Sequence, residues 1–292
     1  MNLKIAGTVI FYNPDNDVYD NIKSYIHGLD VLYIVDNSTK HNKEIVHKLQ
    51  ESFDNIVYIN NNENLGIATA LNIACDRAIE SNYEWILTMD QDSMFLDFND
   101  YLKCLDNHYF EEDLSIIAAN TTRNATNYTQ EANITDYKEK FLVITSANFL
   151  NLKLFNQIGR FEDKLFIDMV DHDYCMKANS LGYKIYYFHN IMVEHNLGDL
   201  FERRNIFTSK LKTKTEHNPQ RVYYITRNFL YTWKKYKKRF PNEFNILRTL
   251  NILFIHEVTK IIIYEDQKLK KLYAKLLGMY HFAIGKYGKY DI

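Results

Sequence analysis

The feature that most constrains this chain is the alternation, along its first half, of short strand-like runs with longer helical stretches. Ile5–Tyr12, Val31–Val35, Ile56–Ile59 and Trp85–Met89 are short runs rich in β-branched and aromatic residues, which predicts strands. Between the third and the fourth, Gly66–Ile79 carries Ala68, Leu71, Ala74 and Ala78 at steps of three and four, giving a helix one small-residue face that can lie close on a sheet. Strand, helix and strand in this order predict right-handed crossovers and an α/β fold with a parallel sheet. Further strands are expected at Ile116–Ala119 and Phe141–Ile144, on either side of a long loop over Asn120–Tyr137 that is rich in Asn and Thr.

Past that loop the pattern predicts a helix at Leu152–Ile158 ended by Gly159, and a second within Phe166–Asn179 with Gly182 beyond its end. Short strands are expected at Tyr183–Phe188 and Met192–His195. Beyond Pro219 the character changes: Tyr223–Tyr236, Phe244–Tyr264 and Gln267–Phe282 have helical spacing and many lysines. The division expected is a catalytic domain over residues 1–220 and a helical extension over 221–292. With 292 residues, 46% of them hydrophobic, the chain can bury one large core and support such an extension.

Charge divides along the same line. From Arg221 onward there are 15 Lys+Arg against 5 Asp+Glu, a net of +10 in a chain of net charge −2. The run Lys234–Arg239, with Tyr231, Trp233, Tyr236 and Phe240 beside it, suits an interfacial helix against anionic lipid headgroups, and peripheral contact with the inner face of a cell membrane is expected. Nucleic acid is not expected as a partner, because it would leave the acidic motif below unexplained. The apolar runs are broken by charges well before the roughly 20 residues that a spanning helix needs. Cys75, Cys104 and Cys175 have no disulfide or zinc spacing, and MNLKIAG lacks a secretory pattern, so a cytoplasmic setting is expected.

The chemistry concentrates in Trp85–Ser93, W-I-L-T-M-D-Q-D-S, where an apolar strand runs into Asp90 and Asp92. In an open parallel sheet ligands sit at the carboxyl ends of the strands, and Mg²⁺ or Mn²⁺ takes a few carboxylate oxygens while leaving positions for a nucleotide diphosphate. A bare D-x-D is also what a capped strand-end turn looks like. Other strand ends point the same way. Thr8, Tyr12 and Asn13 stand at the first, where a ring and an amide could face a base, and Asp36, Asn37 and Ser38 at the second, able to bond a pyrimidine or ribose. Asn64 and Gly66 open a helix whose free N–H groups favour a phosphate. Arg221, Tyr224, Arg227 and Asn228 fall at helical spacing, and an Arg there could pair with a leaving phosphate or an acceptor pyrophosphate, or serve as a surface ion-pair partner.

In order along the chain, the strings T-V-I-F-Y-N-P, V-D-N-S, N-L-G-I-A-T-A-L-N-I-A, L-T-M-D-Q-D-S, I-T-S-A-N, G-R-F-E-D-K-L-F-I-D-M-V-D-H-D-Y-C-M-K and R-V-Y-Y-I-T-R-N resemble a family 2 glycosyltransferase of the GT-A fold, in its rhamnosyltransferase-like branch. They cover residues 8 to about 228. The resemblance implies a Rossmann-like mixed sheet binding a nucleotide-diphosphate sugar, with Asp36 and the turn after Tyr12 on base and ribose, Asp92 on the metal, and Asp90 toward the ribose or a metal-bound water. It implies His195 as a further metal ligand, Ser146 and Asn148 in a loop lining the acceptor pocket, and a catalytic base at Asp171, set by aligning Cys175 and Lys177 on the family's motif. Val170 stands where the wider superfamily often has Glu, so Asp168 and Asp173 stay open as alternatives.

By resemblance the donor is dTDP-L-rhamnose, with a UDP-hexose second, and the acceptor a bacterial surface polysaccharide or a polyprenyl-diphosphate-linked saccharide, reached in one inverting step. Independent of family, Asp168, Asp171 and Asp173 cluster at a helix start, where carboxylates also serve as caps. A homodimer through the C-terminal helices is a further expectation. Two rivals remain: a sugar-1-phosphate nucleotidyltransferase, which needs a Gly- and Lys-rich loop that Phe11–Asp17 lacks, and a non-catalytic nucleotide-sugar-binding protein.

Overall fold

The structure, a computed structural model, describes residues 3–40, 42–123, 135–195, 200–204 and 211–292. Its first half is the expected series: β1 (Ile5–Phe11), α1 (Val18–Lys23), β2 (Val31–Asp36), α2 (Lys43–Ser52), β3 (Ile56–Asn60), α3 (Ile67–Glu80) and β4 (Trp85–Asp90). Every residue of β1 and β2 is buried, as befits strands covered on both faces, and β3 at the sheet edge is only half-buried. β1 pairs in parallel with β2 on one side and β4 on the other, and β3 lies outside β2. The chain therefore moves outward from β1 to β3 and returns across β1 to form β4. The carboxyl ends of β1 and β4 flank that change of direction, where an open sheet leaves a crevice.

The second half continues the sheet through β5 (Ser93–Phe95), α4 (Phe98–His108), β6 (Leu114–Thr122), β7 (Lys138–Glu139), β8 (Asn148–Asn151), α5 (Leu152–Ile158), α6 (Val170–Ser180) and β9 (Lys184–His195). The order is β3-β2-β1-β4-β8-β6-β9-β5, with β7 also on β9. β8 runs antiparallel to both β4 and β6, so the sheet is mixed.

Two expectations about this half need correction. The strand expected at Phe141–Ile144 is irregular backbone, tied to α6 by Asn179 Nδ2 donating to the Phe141 carbonyl. The strand is instead Asn148–Asn151, whose Phe149 and Leu150 are buried and whose Asn151 accepts from the Lys153 N–H to start α5. Polar ends hide such a two-residue core from any test of periodicity. The strands expected at Tyr183–Phe188 and Met192–His195 form one strand, β9, whose register against β6 shifts between Phe188 and Met192. Asn120 Nδ2 donates to the His189 carbonyl inside that bulge. Of the expected loop Asn120–Tyr137, residues 120–122 belong to β6 and 124–134 lie outside the described residues.

The chain divides into two compact units, residues 1–163 with 170–196, and residues 164–169 with 197–292. The first is organised on the sheet, with a core running from Ile5 and Phe11 to Phe188 and Val193. The second contains β10 (Leu200–Arg204) paired with β11 (Leu211–Thr215), then α7 (Pro219–Tyr236), α8 (Ile246–Leu250), α9 (Glu257–Tyr264) and α10 (Lys268–Ala283). A π-helical turn, Asn251–His256, joins α8 to α9. Asn218 caps α7 through the Arg221 N–H, with Pro219 in the first turn where its missing N–H costs nothing. Phe166, Tyr223, Tyr224 and Ala274 form this unit's core.

Candidate active site

β4 delivers Asp90 at its last position, opposite Ile10 of β1, and the turn after it places Asp92 and Ser93. Ser93 opens β5 and is in register with His195, the last residue of β9. This register closes a gap of 102 residues and brings two acids and an imidazole together: one ligand atom from each of Asp90, Asp92 and His195 lies within 4.8 Å of the others. His195 Nε2 is 3.9 Å from Asp90 Oδ2, and its Nδ1 is 3.3 Å from Asp92 Oδ1. The imidazole is buried and both acids are partly exposed, so the cluster opens to solvent on its carboxylate side. Two carboxylates and one imidazole suit a divalent cation such as Mg²⁺ or Mn²⁺ and leave coordination positions for other oxygens.

Buried hydroxyls support this cluster. The Asp90 N–H donates to Ser146 Oγ at 3.2 Å, Ser146 donates to Ser93 Oγ at 2.7 Å, and Ser93 Oγ lies 2.6 Å from His195 Nδ1. Gln91, between the two acids, ties the turn to β1: its side-chain amide accepts from the Tyr12 N–H at 2.9 Å and donates to the Tyr12 carbonyl at 3.3 Å. Asn21 Nδ2 donates to the Gln91 carbonyl from α1. Neither Ser93 nor Gln91 was singled out from sequence. A polar residue inside or just after a D-x-D was the only available signal.

At the first two strand ends, Tyr12 is exposed and Asn13 has φ +48°, its N–H donating to Ser38 Oγ at 2.7 Å. Asp36 is buried, and its oxygens accept from the Ser38 N–H, Asn42 Nδ2 and the Tyr58 hydroxyl at 2.7 Å. Burial, and then the bond to Asp36, raises the Tyr58 phenol well above its ordinary pKa, which keeps it a donor. Thr8 is fully buried beside Thr88 inside the sheet, so it is not at the edge with Tyr12. Gly66, at φ +88°, precedes α3, while Asn64 Oδ1 accepts the Gly66 N–H and Asn37 donates to the Gly66 carbonyl. The cap of α3 is therefore Gly66, not Asn64, and no side chain among the described residues caps the first N–H groups of the helix.

Asp171 and Asn148 line one small cavity with Thr88, Thr145, Tyr174 and Cys175. Asn148 is buried and its amide donates to the Ile144 carbonyl. The three candidate bases differ in their surroundings. Asp173 is fully buried and pairs with Lys177 at 3.2 Å. Asp168, in the second unit, has φ +63° and pairs with Arg221 at 3.1 Å. Asp171, at the first turn of α6, is partly exposed and has no cationic partner among the described residues. Burial pushes the Cys175 thiol up to about 12, so it stays protonated and offers no nucleophile. Arg227 is fully buried, and its guanidinium donates to Asn228, Tyr223 and the carbonyls of Gly288, Lys164 and Leu165. Those bonds occupy the fork that a phosphate would need, while the Arg221 side chain is half-exposed.

Three comparisons with known proteins bear on this arrangement. A family model described as Glycosyl transferase family 2 matches residues 8–176. A dTDP-rhamnosyl transferase, RfbF of Shigella flexneri, is 26% identical in an alignment that covers 94% of this chain and 93% of that protein. Among solved structures, the mannosyltransferase PcManGT of Pyrobaculum calidifontis, in complex with GDP-Man and Mn²⁺, superposes with TM-score 0.59 at 12% identity over 97% of this chain and 74% of its own. GalNAc-T7 with UDP, GalNAc and Mn²⁺ matches at TM-score 0.54 and 11% identity over 66% of this chain, which spans 44% of that one. The architecture is the GT-A type with C-terminal helices.

Proposed function

This chain belongs to glycosyl transferase family 2, and from that premise we propose that it moves L-rhamnose from dTDP-L-rhamnose to a hydroxyl of a bacterial surface saccharide, free or carried on a polyprenyl diphosphate. It is a glycosyltransferase. The observation that carries the reaction is the Asp90, Asp92 and His195 cluster at the carboxyl end of β4, beside β1. The choice of donor is supported by the alignment with the Shigella flexneri dTDP-rhamnosyl transferase along nearly the whole of both chains.

Asp92, Asp90 and His195 would hold Mg²⁺ or Mn²⁺, which when bound stabilises negative charge on a departing diphosphate. Tyr12 and Asn13, pinned by Gln91 and Ser38, would border the nucleotide. Asp171 would take the proton of the acceptor hydroxyl as its oxygen forms a bond to the anomeric carbon and the bond to the diphosphate oxygen breaks, inverting that carbon. Among Asp168, Asp171 and Asp173, the first and last already pair with Arg221 and Lys177, which supports Asp171 as the base. Positioning would supply much of the rate there, because the acceptor proton moves late.

The test is release of dTDP from dTDP-rhamnose with Mn²⁺, beside a panel of UDP-hexoses, with and without saccharide acceptor. Asp92→Ala should lose donor binding and turnover together. Asp171→Asn should lower transfer roughly a hundredfold or more while leaving donor affinity intact. Turnover of a UDP-hexose in place of dTDP-rhamnose would overturn the donor assignment, and a fully active Asp171→Asn beside an inactive Asp168→Asn would move the base.

A further inference from the structure

α10 is built inside out. Lys271, Ala274, Lys275, Gly278 and His281 are buried on one side, while Leu269, Tyr273, Leu276 and Tyr280 on the opposite side are 84%, 59%, 64% and 58% exposed. Steps of four, three and four put those apolar residues in a single stripe along the helix. Scattered apolar side chains on a surface need no explanation, but a continuous stripe of Leu and Tyr set against buried lysines does. The buried lysines are held at a cost: Lys271 pairs with Glu265 at 2.9 Å and with Glu216, and burial pulls the Lys275 amine below its ordinary pKa.

The charge around the stripe selects what can cover it. From Lys268 to Tyr290 there are six lysines and no acidic residue, and apart from the buried Lys271 and Lys275 these are Lys268, Lys270, Lys286 and Lys289. Two copies joined side by side in parallel on this stripe would set Lys270 against Lys270, with no carboxylate from this segment to offset them. An anionic lipid surface answers both features: the acyl boundary takes Leu269 and Leu276, the headgroup layer suits Tyr273 and Tyr280, and the phosphates attract Lys270, Lys286 and Lys289. The same unit exposes Lys234, Lys235, Lys238 and Arg239 at the end of α7. No helix among the described residues is long and apolar enough to cross a membrane.

We infer that the Leu269, Tyr273, Leu276 and Tyr280 face of α10 lies in the interfacial layer of an anionic lipid bilayer. The contact extends the sequence-based expectation, which rested on Lys234–Arg239, to a different helix, and it does not depend on which sugar is transferred.

Flotation of the full chain with vesicles of phosphatidylcholine, alone or mixed with phosphatidylglycerol, tests it. The chain should float with the phosphatidylglycerol vesicles and be released in part by added salt. Replacing both leucines, Leu269→Ser with Leu276→Ser, should weaken binding roughly tenfold or more, with circular dichroism and donor hydrolysis unchanged. Failure of the unaltered chain to bind those vesicles, or undiminished binding by the double variant, overturns the inference. So does a dimer in sedimentation that the double variant converts to monomer, since a second copy would then cover the stripe. Donor hydrolysis is measured apart from flotation, so a failed donor assignment and a failed membrane contact remain distinguishable.

Discussion

At the scale of single residues, the orientation of His195 depends on Ser93. If Nε2 offers its lone pair to a cation, Nδ1 must carry the ring proton, and Ser93 Oγ at 2.6 Å is placed to accept it. Ser93→Ala deletes that acceptor without touching a ligand. Its Mn²⁺ affinity, read by electron paramagnetic resonance of the free ion, should fall roughly tenfold. An unchanged affinity would remove Ser93 from any part in the site. Asp90 and Asp92 were legible as a motif because strand, acid, spacer and acid are contiguous. Ser93 was not, because its role follows from pairing with a residue at the far end of another strand. The same reason separates Asp171 from Asp173: both stand in the first turn of α6, and burial beside Lys177 distinguishes them.

At the scale of elements, Gly278 shows how closely α10 approaches α7. A Cβ built there would come 2.8 Å from the Tyr223 carbonyl oxygen and 3.3 Å from the Arg227 nitrogen, both backbone atoms that cannot swing aside. Helix propensity alone favours Gly278→Ala by about 1 kcal/mol. Overpacking against a backbone costs about 1–3 kcal/mol, so the net effect should be destabilising, and urea denaturation should show a lower midpoint. A raised midpoint would mean that the helices separate easily. The helices were legible from their spacing. β8 was not, because its burial comes from lying between β4 and β6, whereas the more apolar Phe141–Ile144 had the better local claim to be a strand.

At the scale of the whole molecule, each compact unit has its own tryptophan, Trp85 in the first and Trp233 in the second. Trp85→Phe and Trp233→Phe chains thus report one unit apiece by fluorescence. Lys271→Met removes the lysine that Glu216 and Glu265 share, leaving Glu265 with Lys260 at 3.2 Å and Glu216 with the Asp266 N–H, which should cost the second unit on the order of 1–3 kcal/mol. The Trp233 signal should move to lower denaturant while the Trp85 signal stays in place, and joint movement of the two would mean that the units unfold as one. By itself the sequence determined the parallel α/β first half, the polar strand ends and the helical tail, because periodicity and turn chemistry act over a few neighbouring residues. Only the tertiary structure decided which register brings His195, implied by the resemblance alone, up to Asp90 and Asp92, that Asp36 and Arg227 spend their polar atoms on neighbouring residues, and that α10 turns Leu269 and Leu276 outward while Leu277 packs inward. Each of those depends on which distant segments meet, and pairing across a sheet or between helices is set by the packing of the whole chain.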